Sequence, residues 1–129
     1  MAERFYCGEA PGKVTVREGA ERWPLDPRID LRKHSTGFAW GGTDGNAGTS
    51  QQLALALLAD ALQNDALALR VHDDFSSRVV PLFPKRWTIT RSRVVAYADR
   101  IETEHNSIPA ADMPRPYSFP PGAIPSISL

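Results

Sequence analysis

The chain has 129 residues, of which 42% are hydrophobic and 23% are charged, a size and composition typical of one folded domain. Fifteen basic residues balance 15 acidic residues, so no net charge attracts the whole protein to nucleic acid or to an acidic membrane. A single cysteine cannot form an internal disulfide, and no apolar run is long enough to span a bilayer. Together with an N-terminus that lacks a signal-peptide pattern, these features predict a cytoplasmic protein that does not bind membranes.

The N-terminal residues predict an antiparallel hairpin. Segments 4–8 and 13–17 contain aromatic and β-branched residues, and residues 9–12, with the sequence EAPG, separate them with a strong turn signal. Val14 and Val16 alternate with polar residues, so they should face the core. Residues 21–25 predict a third, edge strand because prolines limit its length, and residues 26–36 are expected to be irregular.

Three helices are predicted after this sheet, at residues 50–63, 66–80 and 91–103. Thr49 and Gln52 have the spacing of a capping box at the start of the first helix, and Asn64 is expected to end it in the left-handed conformation. Asp65 and Thr90 are the predicted N-caps of the second and third helices. Leucines surround the axis of the first helix with alanines between them, which predicts a helix buried on most sides.

The predicted architecture is therefore α+β. Residues 1–105 form a single globular domain, in which an N-terminal antiparallel hairpin or small sheet packs on three helices. Residues 106–129 carry six prolines and no helical or strand period, so they predict an extended, proline-rich C-terminal arm. Tyr117 and Phe119 are predicted anchors of this arm, either on the body of the same protein, on a second copy of the chain or on another partner.

A glycine-rich loop, residues 41–50, leads into the first helix. Glycine permits backbone conformations that other residues disfavour, and the unpaired N–H groups at a helix start can bind an anion. The loop lacks the lysine of a P-loop, so two interpretations stay open: a structural turn, or a site for a small molecule, nucleotide or phosphate. The residues predicted to contact such a ligand are Asp44, Gly45, Asn46, Gly48, Thr49 and Ser50.

The run GFAWG at residues 37–41, followed by QLALALLAD at residues 52–60, resembles a family of small prokaryotic and mobile-element proteins of unknown function. That family's signature is close to GFxWGYxGSGPAQLALAILAD. The resemblance continues to WTIT at residues 87–90, which is similar to a closing WTLT, and covers about residues 4–100. In the loop, Gly42 stands where the family favours tyrosine, and the proline before the helix is absent. The resemblance implies a gene context of phages, plasmids and other mobile elements, and it implies no activity, cofactor or catalytic residue.

Two groups of residues invite a chemical interpretation that their spacing does not favour. His72, Asp73 and Asp74 are consecutive on a predicted helix, so their side chains should fan out and should not converge on one metal ion. Cys7 has no assigned catalytic partner and is interpreted as a small core residue. We therefore predict no catalytic residue, no metal site and no cofactor.

The strongest local charge lies near the third helix. Lys85, Arg86, Arg91 and Arg93 fall within nine residues that contain no acid, and Trp87 lies among them. Such a patch can bind a nucleic-acid backbone and stack on a base, or it can bind an acidic protein. The alternative is that Trp87 is a buried anchor among solvated cations. The sequence as a whole favours a noncatalytic protein that binds a macromolecular partner, most of all a protein. The mobile-element context that the resemblance implies adds the expectation that this partner is a host macromolecule, as for phage counter-defence proteins.

Overall fold

The computed structural model describes residues 3–9, 12–40 and 47–107. Its elements in chain order are β1 (Arg4–Glu9), β2 (Lys13–Glu18), β3 (Glu21–Pro24), α1 (Ala47–Leu62), α2 (Asp65–Arg78), a 3-10 turn (Val80–Leu82), β4 (Arg86–Thr90) and α3 (Arg91–Ser107). The strands form one antiparallel sheet in the order β3-β2-β1-β4, and the helices pack together on one of its faces. The predicted α+β architecture is confirmed, and residues 26–36 contain neither helix nor strand, as expected.

Alternation along the strands divides the sheet into an inner and an outer face. Tyr6 of β1 pairs with Val16 of β2, and both are fully buried beneath the helices. Trp87 and Ile89 of β4 are buried on the same side. Because successive side chains of a strand point to opposite faces, the residues between these positions lie on the outer face.

The sequence patterns do not predict strand β4 or the 3-10 turn. Residues 86–90 alternate between polar and apolar side chains, as β2 does, and lie between the predicted second and third helices. In the structure β4 pairs with β1 over five positions, from Phe5 opposite Thr90 to Glu9 opposite Arg86. A five-residue strand flanked by helices has little local signal, and its long-range pairing with β1 decides its structure.

Helix α1 is the centre of the core, as its composition predicts. Every residue from Gln52 to Ala59 is buried. The helix begins at Ala47, before Thr49, so the predicted capping box of Thr49 and Gln52 is wrong. Gln52 instead lies on the buried face of α1, where it bonds the preceding loop. Within the described residues, no helix combines the length and apolarity that crossing a membrane requires.

The helix ends follow ordinary capping chemistry, with two shifts from the prediction. Gln63, with a φ of 53°, adopts the left-handed conformation expected of Asn64. Asn64 is instead the N-cap of α2, since its side chain accepts a hydrogen bond from the N–H of Leu67 at 3.1 Å. The predicted cap of α3 is confirmed, because Thr90 Oγ1 accepts from the N–H of Arg93 at 3.1 Å.

Candidate functional site

The glycine loop lies largely outside the described residues. Asp44, Gly45 and Asn46 are among those that the structure does not describe. Gly48, Thr49 and Ser50 form the first turn of α1, and Ser50 Oγ donates to the carbonyl of Ala39 at 3.3 Å. A ligand site at residues 41–50 therefore stays a prediction, as do the anchors Tyr117 and Phe119 of the C-terminal arm, which also lie outside the description.

The structure separates the residues of the predicted basic patch. Lys85 and Arg86 are exposed before and at the start of β4, and Arg86 pairs with Glu9 at 3.1 Å. Arg91 starts α3 at the other end of that strand, and its Nε donates to the carbonyl of Ala61 in α1 at 2.8 Å. Arg93, two residues further on, lies beside the hydroxyl of Tyr97. The four cations therefore lie at two different parts of the surface.

Trp87 is not available for stacking on a base, because its side chain is fully buried. Its ring centroid lies 4.5 Å from that of Phe83 and 5.5 Å, edge on, from that of Trp40. The indole also lies over Gly8 of β1, where a Cβ would overlap it. Trp87 is therefore a core anchor that joins β4 to β1 and to the segment before α1.

The outer face of the sheet is uncovered by the described residues, and we call it the open sheet face. It lines a concave surface that contains Cys7, Thr15 and Thr88 at its middle. Cys7 is half-buried there and accepts a weak hydrogen bond from Thr88 Oγ1 at 3.8 Å. The interpretation of Cys7 as a core residue is wrong, because Tyr6 takes the inward position and the next residue of a strand must point outward.

The open sheet face is basic. Its charged residues on that concave surface are Glu9, Lys13, Arg17, Arg22 and Arg86, so four cations meet one carboxylate. Arg17 and Arg22 are directly opposite each other in the pairing of β2 with β3, an arrangement of like charges that destabilises a sheet. Within the described part of the chain neither arginine forms an ion pair, and Arg17 lies over the Phe5 ring at 5.1 Å.

A second candidate site lies at the other side of the molecule, where α1 and α2 meet the loop before α1. His34 Nε2 lies 2.9 Å from His72 Nε2, and His72 Nε2 lies 3.4 Å from Asp73 Oδ1. One ligand atom from each of the three side chains lies within 4.8 Å of the others. We call these three residues the histidine cluster. The expectation that His72 and Asp73 diverge from each other is wrong, since His72 Nε2 and Asp73 Oδ1 lie only 3.4 Å apart.

Gln52 places His34 in the cluster. Its side-chain oxygen accepts hydrogen bonds from the N–H groups of His34 at 2.7 Å and Ser35 at 3.0 Å. Its side-chain nitrogen donates to the carbonyls of Pro27 at 2.6 Å and Arg32 at 3.1 Å. Four hydrogen bonds from one fully buried amide therefore fix the loop against α1.

Burial and neighbouring charge disfavour the protonated form of His34. Partial burial lowers the pKa of His34, and the neighbouring imidazole of His72 lowers it further, while Asp73 opposes both. The sequence contains a weak signal for this cluster, a histidine in an irregular loop. Its partner is 38 residues further along the chain, so only the fold brings the two together.

A second group of polar residues lies at the C-terminal half of α1. Tyr6 donates from its hydroxyl to Asp60 Oδ2 at 2.5 Å, and Arg4 Nη1 donates to the same carboxylate at 3.0 and 3.2 Å. Arg4 also pairs with Glu18 at 3.3 Å. Burial and the hydrogen bond to Asp60 raise the pKa of Tyr6. We call these four residues the Asp60 network.

The family model of DUF6166, a family of unknown function, matches residues 6–100, so the chain belongs to this family. No curated protein and no solved structure matches the chain. The match agrees with the extent of the resemblance seen in the sequence, and it covers β1 through most of α3.

Proposed function

We propose that the protein is a noncatalytic binding protein whose open sheet face binds the acidic surface of another protein. The observation that supports this proposal most strongly is the excess of cations on that face, above all the opposed pair Arg17 and Arg22. Like charges held directly opposite each other weaken the sheet, and an anionic partner would remove that repulsion. Arginine is also enriched at protein interfaces, because its planar guanidinium can bind carboxylates with two hydrogen bonds.

The aromatic residues favour a protein partner over nucleic acid. Binding to single strands relies on exposed rings on which bases stack. Trp87, which the sequence offered for that role, is fully buried, and Phe5 on the open sheet face is half-buried with the Arg17 guanidinium above its ring. Trp23, which also lines the concave surface, is half-buried with the Arg4 guanidinium over its ring. Because cations lie over both of these partly exposed rings, charge complementarity supports binding to carboxylates.

The finer features of the proposal rest on the sequence. Contact of the C-terminal arm with the same partner, or with a second copy of the chain, would add apolar anchors to the basic face. A role in restraining a host protein, as in phage counter-defence, rests on the resemblance to mobile-element proteins and on no contact in the structure. The glycine loop as a small-molecule or phosphate site is the competing proposal.

The single cysteine allows a direct test of the open sheet face. A photoreactive benzophenone attached to Cys7 would lie at the middle of that face, and crosslinking in bacterial lysate, with and without nuclease, would identify what binds there. The matched control is a Cys7→Ser/Ala96→Cys variant, which places the same group on the exposed side of α3. We expect a protein adduct that resists nuclease, is absent from the control and is competed by excess unlabelled protein.

Charge reversal then shows whether the adduct depends on the basic residues. We expect Arg17→Glu/Arg22→Glu to reduce the adduct about 10-fold or more, an effect on the order of one buried charge contact. The pair Arg91→Glu/Arg93→Glu should leave it within about 2-fold, since those residues bond elements on the helical side. A nucleic-acid adduct, no adduct, or equal adducts from the labelled wild type and the labelled control variant would contradict the proposal.

A further inference from the structure

The histidine cluster has the donor set of a transition-metal site. It combines two imidazole nitrogens with one carboxylate oxygen, and both donor types bind zinc and similar divalent ions. Tetrahedral zinc with bonds of 2.0–2.2 Å separates its ligand atoms by about 3.3–3.5 Å. The observed separations of 2.9 Å between His34 and His72 and 3.4 Å between His72 and Asp73 are close to that spacing, and the ligand atoms of His34 and Asp73 lie within 4.8 Å of each other.

The hydrogen bonds of His72 point its free nitrogen into the cluster. His72 is fully buried, and its Nδ1 lies 2.7 Å from the carbonyl oxygen of Leu69. A carbonyl can only accept, so Nδ1 carries the hydrogen, and in the neutral imidazole the lone pair is on Nε2. This arrangement, with one nitrogen bonded to a backbone carbonyl and the other facing a cation, is the usual one for metal-bound histidine.

Two acceptors also face each other in the cluster. His34 can donate its Nε2 hydrogen to the Nε2 lone pair of His72. Asp73 Oδ1 faces the same lone pair at 3.4 Å, and no hydrogen lies between these two acceptors. The side-chain amide of Gln51 holds that carboxylate in place by donating to Oδ1 at 3.1 Å. A cation between the three ligand atoms would replace the single proton and satisfy all of them.

The loop and α2 carry the three ligands, and α1 supports them. His72 and Asp73 belong to α2, Gln51 and Gln52 belong to α1, and Gln52 fixes the backbone of His34 with two hydrogen bonds. Partners that fix the ligands in this way are typical of metal sites and raise their affinity. The half-exposed His34 and exposed Asp73 leave an approach for the ion from solvent.

We propose that His34, His72 and Asp73 bind one zinc-class divalent transition metal ion, with a coordination position left for water or another ligand. Bound metal would tie the irregular loop to α2 and rigidify the N-terminal end of α1. The proposal is independent of the open sheet face, which lies on the outer side of the sheet, so either can fail without the other.

Isothermal titration of the tag-free full chain with ZnCl₂ alone tests this site. We expect one equivalent to bind, and we expect MgCl₂ not to bind, since magnesium prefers an all-oxygen shell. His34→Ala should weaken zinc binding at least about 100-fold, and Asp73→Asn about 10-fold, within the range that ligand-shell changes produce. Both side chains are at least partly exposed, so these variants should fold, and circular dichroism checks that they do.

The third histidine of the chain provides the matched control. His105 lies in α3 and is not one of the three cluster residues, so His105→Ala should bind zinc as the wild type does. Absence of zinc binding by the wild type would overturn the proposal, and so would equal binding by the wild type and His34→Ala. Loss of binding in His105→Ala with retention in His34→Ala would place the zinc elsewhere and would also overturn it.

Discussion

Two polar clusters contact the central helix α1, and they differ in how completely their groups are paired. In the Asp60 network, the carboxylate receives hydrogen bonds from the Arg4 guanidinium and the Tyr6 hydroxyl. In the histidine cluster, the Nε2 lone pair of the neutral His72 imidazole faces a carboxylate oxygen of Asp73 at 3.4 Å. His34 can donate to the first of these acceptors and Gln51 donates to the second, but no hydrogen lies between the two. Polar groups that satisfy one another stabilise a fold, whereas acceptors that face each other are suited to a cation.

The largest loss of stability is expected from removal of the Asp60 carboxylate, which is the centre of the Asp60 network. Asp60→Ala leaves the guanidinium of Arg4 and the buried hydroxyl of Tyr6 without their acceptor, and Asp60 is itself only partly exposed. We expect a loss of about 3 kcal/mol in the free energy of unfolding, measured by urea denaturation. Glu9→Ala, which breaks the exposed ion pair with Arg86, should cost less than about 1 kcal/mol. Equal effects would show that the Asp60 network is not a special source of stability.

The second prediction concerns the support of the histidine cluster. Gln52→Ala removes four hydrogen bonds of a buried amide, and we expect a loss of about 2 kcal/mol, because the released loop groups can partly reach water. The same change should weaken zinc binding about 10-fold by freeing His34. Asp60→Ala should leave zinc binding unchanged. If Gln52→Ala bound zinc as the wild type does, the hydrogen bonds of Gln52 to the loop would not be needed for zinc binding.

The smallest expected effect comes from one hydroxyl. Tyr6→Phe removes the hydrogen bond to Asp60 and should destabilise the protein by about 1 kcal/mol at neutral pH. Burial, and then the hydrogen bond to Asp60, raise the pKa of Tyr6 in the folded state. Stability from this group is thus fully present below the unfolded tyrosine's pKa of about 10 and is lost as pH rises above it, by at most about 1.4 kcal/mol per pH unit.

Denaturation at about pH 8 and about pH 11 measures this effect. The wild type should lose more stability between the two values than Tyr6→Phe. Tyr97, whose pKa burial also raises, is present in both proteins and cancels in the difference. An identical loss in the two proteins would show that Tyr6 does not remain protonated above its ordinary range.

The sequence predicts the fold better than it predicts the sites. Local patterns are sufficient for the β1–β2 hairpin, the buried α1 and the Thr90 cap of α3, because alternation, leucine spacing and capping chemistry act over a few residues. Strand β4 was missed because its structure depends on pairing with β1, about 80 residues earlier in the chain.

The residues of both candidate sites come together only through tertiary contacts. His34 and His72 are far apart in sequence. The angular argument about α2 considers only the directions in which side chains leave the helix, and it misses that His72 Nε2 reaches within 3.4 Å of the neighbouring Asp73 carboxylate. Arg17 and Arg22 become neighbours through the pairing of β2 with β3. Their charges are evident from the sequence, but their proximity depends on the register of the sheet.

Thermal unfolding of four proteins with and without ZnCl₂ tests the contrast between the two clusters most directly. Because a ligand that binds the folded state raises the melting temperature, zinc should raise it for the wild type, His105→Ala and Asp60→Ala, but not for His34→Ala. Without zinc, Asp60→Ala should melt well below His34→Ala. A zinc-dependent rise in His34→Ala equal to that of the wild type, or no rise in any protein, would contradict the account.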